Sequence, residues 1–277
     1  MNLKISMWSN MKRRLKKGPI IFIAIILLLI FSFFFIKNIN FNGNVKEDKK
    51  KSNEIKKEEV KLEEVDYELR DGEEFVGKTT KGFYITKYNG AYYIDGIMVV
   101  NKTYGLDSTY KPVEPVNPIT SDYLYGEDYL DKETMEAYTK MKNDASSNGY
   151  TLRISSGYRS YSVQVDLYNN YVNRDGVDAA DTYSARAGHS EHQSGLCFDL
   201  NGTNSNFLET ETGKWVNENA YKYGFILRYP KDKENYTGYN YEAWHFRYVG
   251  VELATELYNE GNWISLEEYM GINSKYE

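Results

Sequence analysis

The chain has a single cysteine, Cys197, among its 277 residues. One thiol excludes an internal disulfide, so a domain outside the cytoplasm must be held by its hydrophobic core or by a metal ion. Histidine is nearly as rare, with three residues, and two of them, His189 and His192, lie in the stretch "GHSEHQSGLCFDL". Asp199 follows in the same stretch. This concentration of residue types that are otherwise scarce indicates a chemical site.

Acidic residues are absent from the first 37 residues, which carry seven Lys or Arg. Residues 20–36 form an apolar run, "IIFIAIILLLIFSFFFI", near the short end of the roughly 17–25 residues that span a bilayer as a helix. The flank "KRRLKK" favours a cytoplasmic N-terminal side. We therefore expect a basic cytoplasmic tail over 1–19 and a transmembrane anchor over 20–36. A removed signal peptide is the alternative, although no small-x-small cleavage site follows the run.

The next two segments differ in composition. Residues 37–74 are largely charged, poor in aromatic residues and without proline, which predicts a solvated linker. After them, "FYITKYNGAYYID" alternates around Asn89-Gly90, and these two residues favour the positive φ of a two-residue turn, so we predict a hairpin at about 83–95. Prolines then favour an extended surface segment. We interpret 75–120 as this hairpin and an extended N-terminal part of the outer region.

Residues 121–277 carry the signals of a compact domain. An N-cap at Asp131 and a stop at Gly149 predict a first helix, and further helices are predicted from Ser162 and in "GKWVNENAYKYG" and "GVELATELYNEG". Strands are predicted at "TLRISS", "FILRY" and "HFRYVG". Because there is no regular βαβ alternation, the predicted fold class is α+β, an antiparallel sheet flanked by helices. The predicted apolar faces are Met135, Tyr138, Met141 and Ala145 in the first helix and Val165, Tyr168 and Val172 in the second.

The third histidine, His245, stands after Glu242 in "YEAWHFRYVG". Zinc accepts imidazole and carboxylate ligands such as His192 and Asp199, and two histidines with one carboxylate leave a position open for water. Glu242 could then accept a proton from that water. Residues three apart on a regular strand point to opposite faces, so Glu242 and His245 converge only if a turn or bulge precedes the strand. Taken singly, each residue could instead be a hydrogen-bonded core histidine or a solvated acid.

The motifs "SGYRS", "GHSEHQSGLCFDL" and "YEAWHFRYVG", in this order, resemble those of the VanY-type D-alanyl-D-alanine carboxypeptidases. These are zinc peptidases of bacterial cell walls, and the family also includes L,D-carboxypeptidases. The resemblance covers about residues 95–265. The family pattern Ser-x-His-x-x-Gly-x-x-x-Asp is matched from Ser190 to Asp199, and Glu-x-x-Trp-His from Glu242 to His245. The resemblance implies the zinc D,D-peptidase fold, which is hedgehog-like.

The resemblance also implies residue roles. Zinc would be held by His192, Asp199 and His245, with Glu242 as the catalytic acid and base. Arg159 would face the substrate and the developing oxyanion. Implied substrate contacts fall on Arg159, Gln164, Ser190, Tyr229 and Trp244. Cys197 stands where the family commonly has Ala; it is small enough to fit, but it places a thiol near the implied metal. His189 is interpreted as a polar neighbour or a structural residue.

The sequence therefore predicts a zinc-dependent D-alanyl-D-alanine carboxypeptidase that removes the terminal D-alanine from peptidoglycan stem peptides. Its expected partners are these peptides and the cytoplasmic membrane, with no nucleic acid. The expected location is the bacterial cell membrane, as a single-pass protein with its catalytic domain outside the cytoplasm. The alternatives are an L,D-carboxypeptidase on tetrapeptide stems and an inactive wall-binding module. Retention of Glu242 beside three ligands argues against the module, because a pure binder needs no base.

Overall fold

The computed structural model describes residues 67–117 and 129–276. Asp71–Glu277 forms one compact unit, which holds both the predicted N-terminal part of the outer region and the predicted catalytic domain. The predicted cytoplasmic tail, the anchor and most of the linker lie outside the described residues. Within the described part of the chain, no helix has the length and apolar character needed to cross a membrane.

The unit begins with an antiparallel sheet in which each strand pairs with the next. Its strands are β1 (Glu74–Lys78), β2 (Tyr84–Tyr88), β3 (Ala91–Ile94) and β4 (Ile97–Val99). The predicted hairpin is confirmed as β2 and β3, which pair in register around a two-residue turn. Asn89 and Gly90 occupy that turn with φ of 47° and 73°, the left-handed backbone that Asn-Gly tolerates.

A second sheet positions the functional residues. A separate short pair precedes it, β5 (Pro115–Val116) with β6 (Leu130–Asp131). The strands of the second sheet are β7 (Ile154–Ser156), β8 (Cys197–Leu200), β9 (Phe225–Tyr229) and β10 (Glu242–Tyr248). Their spatial order is β7-β8-β10-β9, and all neighbouring strands are antiparallel, as predicted for the α+β class.

Side-chain alternation gives the second sheet one apolar and one polar face. Phe198 on β8 pairs with Phe246 on β10, and both are fully buried. Phe198 also packs edge-on against Phe225, with ring centroids 5.0 Å apart. Burial of each such ring contributes roughly 1.5–3 kcal/mol. This apolar packing fixes the strand positions from which Asp199 and His245 project on the opposite face.

Helices flank the sheets. Their bounds are α1 (Lys132–Ser147), α2 (Tyr161–Asp175), α3 (Val177–Tyr183), α4 (Glu211–Asn219), α5 (Glu234–Thr237), α6 (Val251–Tyr258) and α7 (Leu266–Met270). The predicted N-cap of α1 is confirmed, because the Asp131 side chain accepts a hydrogen bond from the Glu133 amide. The predicted apolar face of α1 is also confirmed as buried.

The predicted second helix is confirmed as α2, but its most buried residue is polar. Val165, Tyr168 and Val172 are only partly buried, and the residue that α2 buries fully is Gln164. The Gln164 amide donates a 2.6 Å hydrogen bond to the Ala185 carbonyl, which compensates the burial of a polar group. Apolar periodicity predicts this helix, but it does not show that the fully buried position is held by a polar side chain.

Candidate active site

His192 enters the site from a short 3-10 helix, Glu191–Ser194, that precedes β8. Its Nδ1 lies 2.7 Å from the Gly157 carbonyl oxygen. Because a carbonyl oxygen only accepts hydrogen bonds, Nδ1 carries a proton, and in the neutral imidazole the lone pair is therefore on Nε2. That Nε2 lies 3.6 Å from Asp199 Oδ1. The backbone at Gly157 therefore fixes the tautomer of His192 and leaves its free nitrogen toward Asp199.

Asp199 and His245 face each other as directly paired residues of β8 and β10. Asp199 Oδ1 lies 3.4 Å from His245 Nδ1 and has no hydrogen-bond partner among the described residues. Burial raises the pKa of Asp199, but His192 and His245 lower it below its ordinary value. A buried carboxylate oxygen without a hydrogen bond is costly, so this position favours a cation.

Glu242 and His245 converge because β10 is irregular between them. The pairing of β10 with β9 shifts register between Glu242 and Phe246, as at a β-bulge. The predicted bend is therefore confirmed, although it lies inside the strand and not ahead of it. Glu242 Oε2 lies 3.3 Å from His245 Nδ1, and the Glu242 side chain is 15% exposed. The carboxylate is thus both next to the imidazole and open to water.

The donor atoms of this site suit a zinc ion. Asp199, Glu242 and His245 each place one ligand atom within 4.8 Å of the others, and His192 Nε2 approaches the same Asp199 oxygen. Two imidazoles and one carboxylate are a donor set of catalytic zinc sites, in which the fourth position stays open. The unpaired Asp199 Oδ1 and the fixed tautomer of His192 therefore fit the ion.

Cys197 is fully buried next to the same imidazoles. Its Sγ lies within 4.8 Å of ring nitrogens of His192 and His245. Burial raises the pKa of the thiol, but the two histidines lower it to about 7. The small side chain is accommodated as the sequence suggests, and its thiol lies beside the implied metal ligands.

Arg159 lies in the connection between β7 and α2. Its Nη1 donates to Gln164 Oε1 and its Nη2 to Ser156 Oγ, each at 3.0 Å. Gln164 also donates to the Ala185 carbonyl, so it links the guanidinium to the backbone after α3. Gln164 therefore holds Arg159 in place, a function that the sequence did not indicate.

One cavity of about 450 Å³ brings together every residue predicted for the site. These residues are Arg159, Gln164, Ser190, His192, Asp199, Tyr229, Glu242, Trp244 and His245. Tyr229 also packs edge-to-face against His245, with ring centroids 4.9 Å apart. Aromatic lining residues that were not predicted are Tyr171, Tyr183, Tyr239 and Tyr241. Their sequence signal was weak, because 27 tyrosines are spread along the chain.

His189 does not line this cavity. Its Nδ1 lies 2.8 Å from the Asn101 carbonyl oxygen, and its ring packs edge-on against Tyr276 with centroids 5.3 Å apart. These contacts connect the segment after β4 to the end of the described chain. They agree with the interpretation of His189 as a structural residue.

Three buried charged residues next to the site were not predicted from the sequence: Glu191, Arg228 and Arg247. Glu191 Oε1 accepts hydrogen bonds from Arg228 Nε at 2.7 Å and from Arg247 Nη1 at 3.0 Å. Burial raises the pKa of Glu191, but the two arginines lower it well below its usual range. A sequence signal did exist, because Arg228 and Arg247 each stand next to aromatic or aliphatic residues of a predicted strand, in "FILRY" and "HFRY".

Comparisons with known proteins agree with this arrangement. Residues 127–251 match the family described as VanY: D-alanyl-D-alanine carboxypeptidase. YodJ of Bacillus subtilis, named as a carboxypeptidase, is 41% identical over 182 residues, which cover 62% of this chain and 66% of YodJ. The bifunctional D-Ala-D-Ala dipeptidase and carboxypeptidase VanXYC of Enterococcus gallinarum is 30% identical over 181 residues, which cover 62% of this chain and 92% of VanXYC.

Two solved structures extend the similarity. The LdcB LD-carboxypeptidase matches with a TM-score of 0.59 and 38% identity over 68% of this chain and 95% of that one. The vancomycin resistance D,D-pentapeptidase VanY, solved with Zn(II), matches with a TM-score of 0.51 and 32% identity over 62% of this chain and 96% of that one. The chain spans 44% to 66% of the length of YodJ and of two Enterococcus D-alanyl-D-alanine carboxypeptidases.

The fold is thus similar to that of solved carboxypeptidases. More narrowly, the chain belongs to the VanY family of D-alanyl-D-alanine carboxypeptidases, as its motifs predicted. The roles of the individual site residues stay predictions.

Proposed function

We propose that this protein is a zinc-dependent carboxypeptidase that removes the terminal D-alanine from peptidoglycan stem peptides, with preference for stems ending in D-alanyl-D-alanine. The observation that carries the proposal is the convergence of His192, Asp199, His245 and Glu242 in one cavity that also contains Arg159. Two similar proteins support the proposed substrate. VanXYC is named as a bifunctional D-Ala-D-Ala dipeptidase and carboxypeptidase, and the structure of VanYB was solved in complex with D-alanine-D-alanine.

In this proposal His192, Asp199 and His245 hold the zinc ion. When bound, zinc supplies Lewis acidity, which polarises the scissile carbonyl and lowers the pKa of water. His192 is prepared for this role by its Nδ1 contact with the Gly157 carbonyl. The protein therefore presents lone pairs without having to reorient the ring.

Glu242 is proposed to move the proton. The carboxylate accepts a proton from the water that attacks the peptide carbonyl, and it then donates this proton to the departing D-alanine nitrogen as the C–N bond breaks. The products are a shortened stem with a new carboxylate and free D-alanine. The position of Glu242, beside His245 but partly exposed to the cavity, supports this role because the group must meet water.

Arg159 is proposed to bind anionic oxygens of the substrate. Its guanidinium lines the cavity and is oriented by Gln164 and Ser156. Charge-assisted hydrogen bonds from a fixed guanidinium suit a terminal carboxylate and a developing oxyanion. Ser190 lines the same cavity and supplies a further polar group.

An L,D-carboxypeptidase is the second candidate function. The observation that favours it is the similarity to LdcB, which covers more of this chain at higher identity than the similarity to VanY does. Both activities release D-alanine, so the residues that bind the departing amino acid do not distinguish a D,D-carboxypeptidase from an L,D-carboxypeptidase. The difference lies on the other side of the scissile bond, where an L-diamino acid with a long side chain replaces a D-alanyl methyl group.

We expect the specificity constant for D-alanine release to be higher on a pentapeptide stem than on a tetrapeptide stem. The physical reason is crowding, because Tyr229 and Trp244 line the cavity and a D-alanyl methyl needs less room than a diamino acid side chain. Mass spectrometry of purified muropeptides measures both rates. The Glu242→Gln protein, prepared identically, controls for contaminating peptidases. A higher specificity constant on the tetrapeptide would contradict the proposed D,D preference and favour an L,D-carboxypeptidase. The proposed zinc site would be unaffected by that result.

We also propose that the protein is anchored in a bacterial membrane with its N-terminus inside and its catalytic domain outside. The basic flank and the apolar run of residues 20–36 support this topology. Protease added to wall-stripped cells is expected to remove the catalytic domain while a cytoplasmic control protein stays intact. Recovery of the domain from the medium, with a new N-terminus near residue 40, would contradict the anchor.

A further inference from the structure

Glu191 is a charged side chain with no exposure to solvent, placed between two arginines. Its Oε1 receives hydrogen bonds from Arg228 and Arg247, whose side chains are 0% and 1% exposed. Burial of charge is costly unless it is paired. The two arginines account for one oxygen of the carboxylate and leave Oε2 without a hydrogen-bond partner among the described residues.

The second oxygen of Glu191 faces His245. Glu191 Oε2 lies 3.4 Å from His245 Nε2, and this nitrogen also has no hydrogen-bond partner among the described residues. The other ring nitrogen, Nδ1, lies on the side of Asp199 and Glu242. An ionised carboxylate accepts only, so a proton on Nε2 suits Glu191 and leaves the Nδ1 lone pair toward Asp199.

The carboxylate is held by contacts that come from several elements. Arg228 is also bound through both terminal nitrogens by Glu267 of α7, at 2.8 and 2.6 Å. Arg247 donates to the Met98 carbonyl of β4 at 2.7 Å. The direction of Glu191 toward His245 is set by its two direct hydrogen bonds, from Arg228 of β9 and Arg247 of β10.

We infer that Glu191 is a positioning residue for the metal site, which holds His245 in the tautomer whose Nδ1 can bind the ion. Ligating histidines commonly donate their second ring N–H to a carboxylate, and loss of that partner typically lowers metal affinity by about 10–100-fold. This inference rests on the proposed zinc site, and it assigns to the buried Glu191–Arg228–Arg247 group a function beyond stability.

Replacement of Glu191 by Gln tests the inference through metal affinity. The side-chain amide would keep an oxygen for the arginines and turn an N–H toward His245 Nε2, which favours the wrong tautomer. We expect zinc affinity, measured by competition with a chelator, to fall by about 10–100-fold relative to the unmodified protein. The Co(II)-loaded protein should also change its visible spectrum, because the ligand field at His245 changes.

Glu267→Gln is the matched control. Glu267 is equally buried and pairs with the same Arg228, but no contact joins it to His245. We expect it to lower the melting temperature of the metal-free protein to a similar extent and to leave zinc affinity within about threefold, well below the loss of a ligand-orienting carboxylate. Equal zinc affinity of Glu191→Gln and the unmodified protein, with both folded by circular dichroism, would overturn the inference alone. Absence of zinc binding by the unmodified protein would overturn the proposed function as well.

A measurement on the unmodified protein covers the case in which Glu191→Gln does not fold. Long-range ¹H–¹⁵N spectra of the imidazoles report the protonated nitrogen, and the chain has three histidines to assign. The zinc-loaded protein should show His245 protonated at Nε2 and ligated through Nδ1. Ligation through Nε2 would overturn the inference whatever the fate of the variant.

Discussion

The Glu242→Gln protein is expected to lose D-alanine release by roughly a hundredfold to ten-thousandfold, the range for a removed acid–base group. The amide has the shape of the carboxylate but cannot take a proton from water or return one to the leaving amine. Because Glu242 is not among the three proposed ligands, the variant should keep its zinc and its melting temperature. Initial rates on the pentapeptide and the metal content of the same samples measure both parts.

Glu218→Gln is the control, since Glu218 is exposed on α4 and does not line the cavity. It should release D-alanine at the unmodified rate. If Glu242→Gln kept more than about a third of the unmodified turnover, Glu242 would not be the base, because acid–base groups contribute far more than that. The same experiment separates an enzyme from a wall-binding module, which has no turnover to lose.

His192→Ala is expected to lose zinc and activity together. The variant removes the Nε2 donor that lies 3.6 Å from Asp199 Oδ1. Metal affinity should fall by more than about a hundredfold, beyond the loss typical of groups that only orient a ligand. Zinc added to the unmodified protein should raise its melting temperature, because an ion that binds the folded state stabilises it, and this shift should be absent from the variant.

His189→Ala is the matched control for this experiment. His189 stands three residues before His192, but it contacts the Asn101 carbonyl and Tyr276 outside the cavity. Its replacement should lower the melting temperature modestly and keep the zinc-dependent rise. A His192→Ala protein that binds one zinc per chain as tightly as the unmodified protein would contradict the proposed ligand set.

Part of the fold could be predicted from local sequence features such as turn and cap residues. The hairpin of β2 and β3 follows from Asn89-Gly90, since few residue pairs adopt the turn that both occupy. Helix α1 follows from its Asp131 cap and an apolar face with regular spacing. Helix α2 shows the limit, because its fully buried residue, Gln164, is polar and donates its hydrogen bond to the backbone carbonyl of Ala185, 21 residues away.

The candidate site, like the fold, could be predicted from the sequence only in part. The bend between Glu242 and His245 could be predicted, because strand geometry does not let residues three apart share a face. The clamp around Glu191 could not, because Arg228 and Arg247 stand 37 and 56 positions away from it in the chain. Such pairings depend on how β9 and β10 pack beside the 3-10 helix, and no local pattern encodes that.

D-alanine release from a pentapeptide stem, followed in the purified full-length protein through removal and return of zinc, tests the central proposal most directly. We predict release by the zinc-loaded protein, loss of release after chelation, and recovery when about one zinc ion per chain is restored, as expected for a single catalytic site. Unchanged release by protein whose zinc content has fallen below about a tenth of an ion per chain would contradict the proposed zinc chemistry.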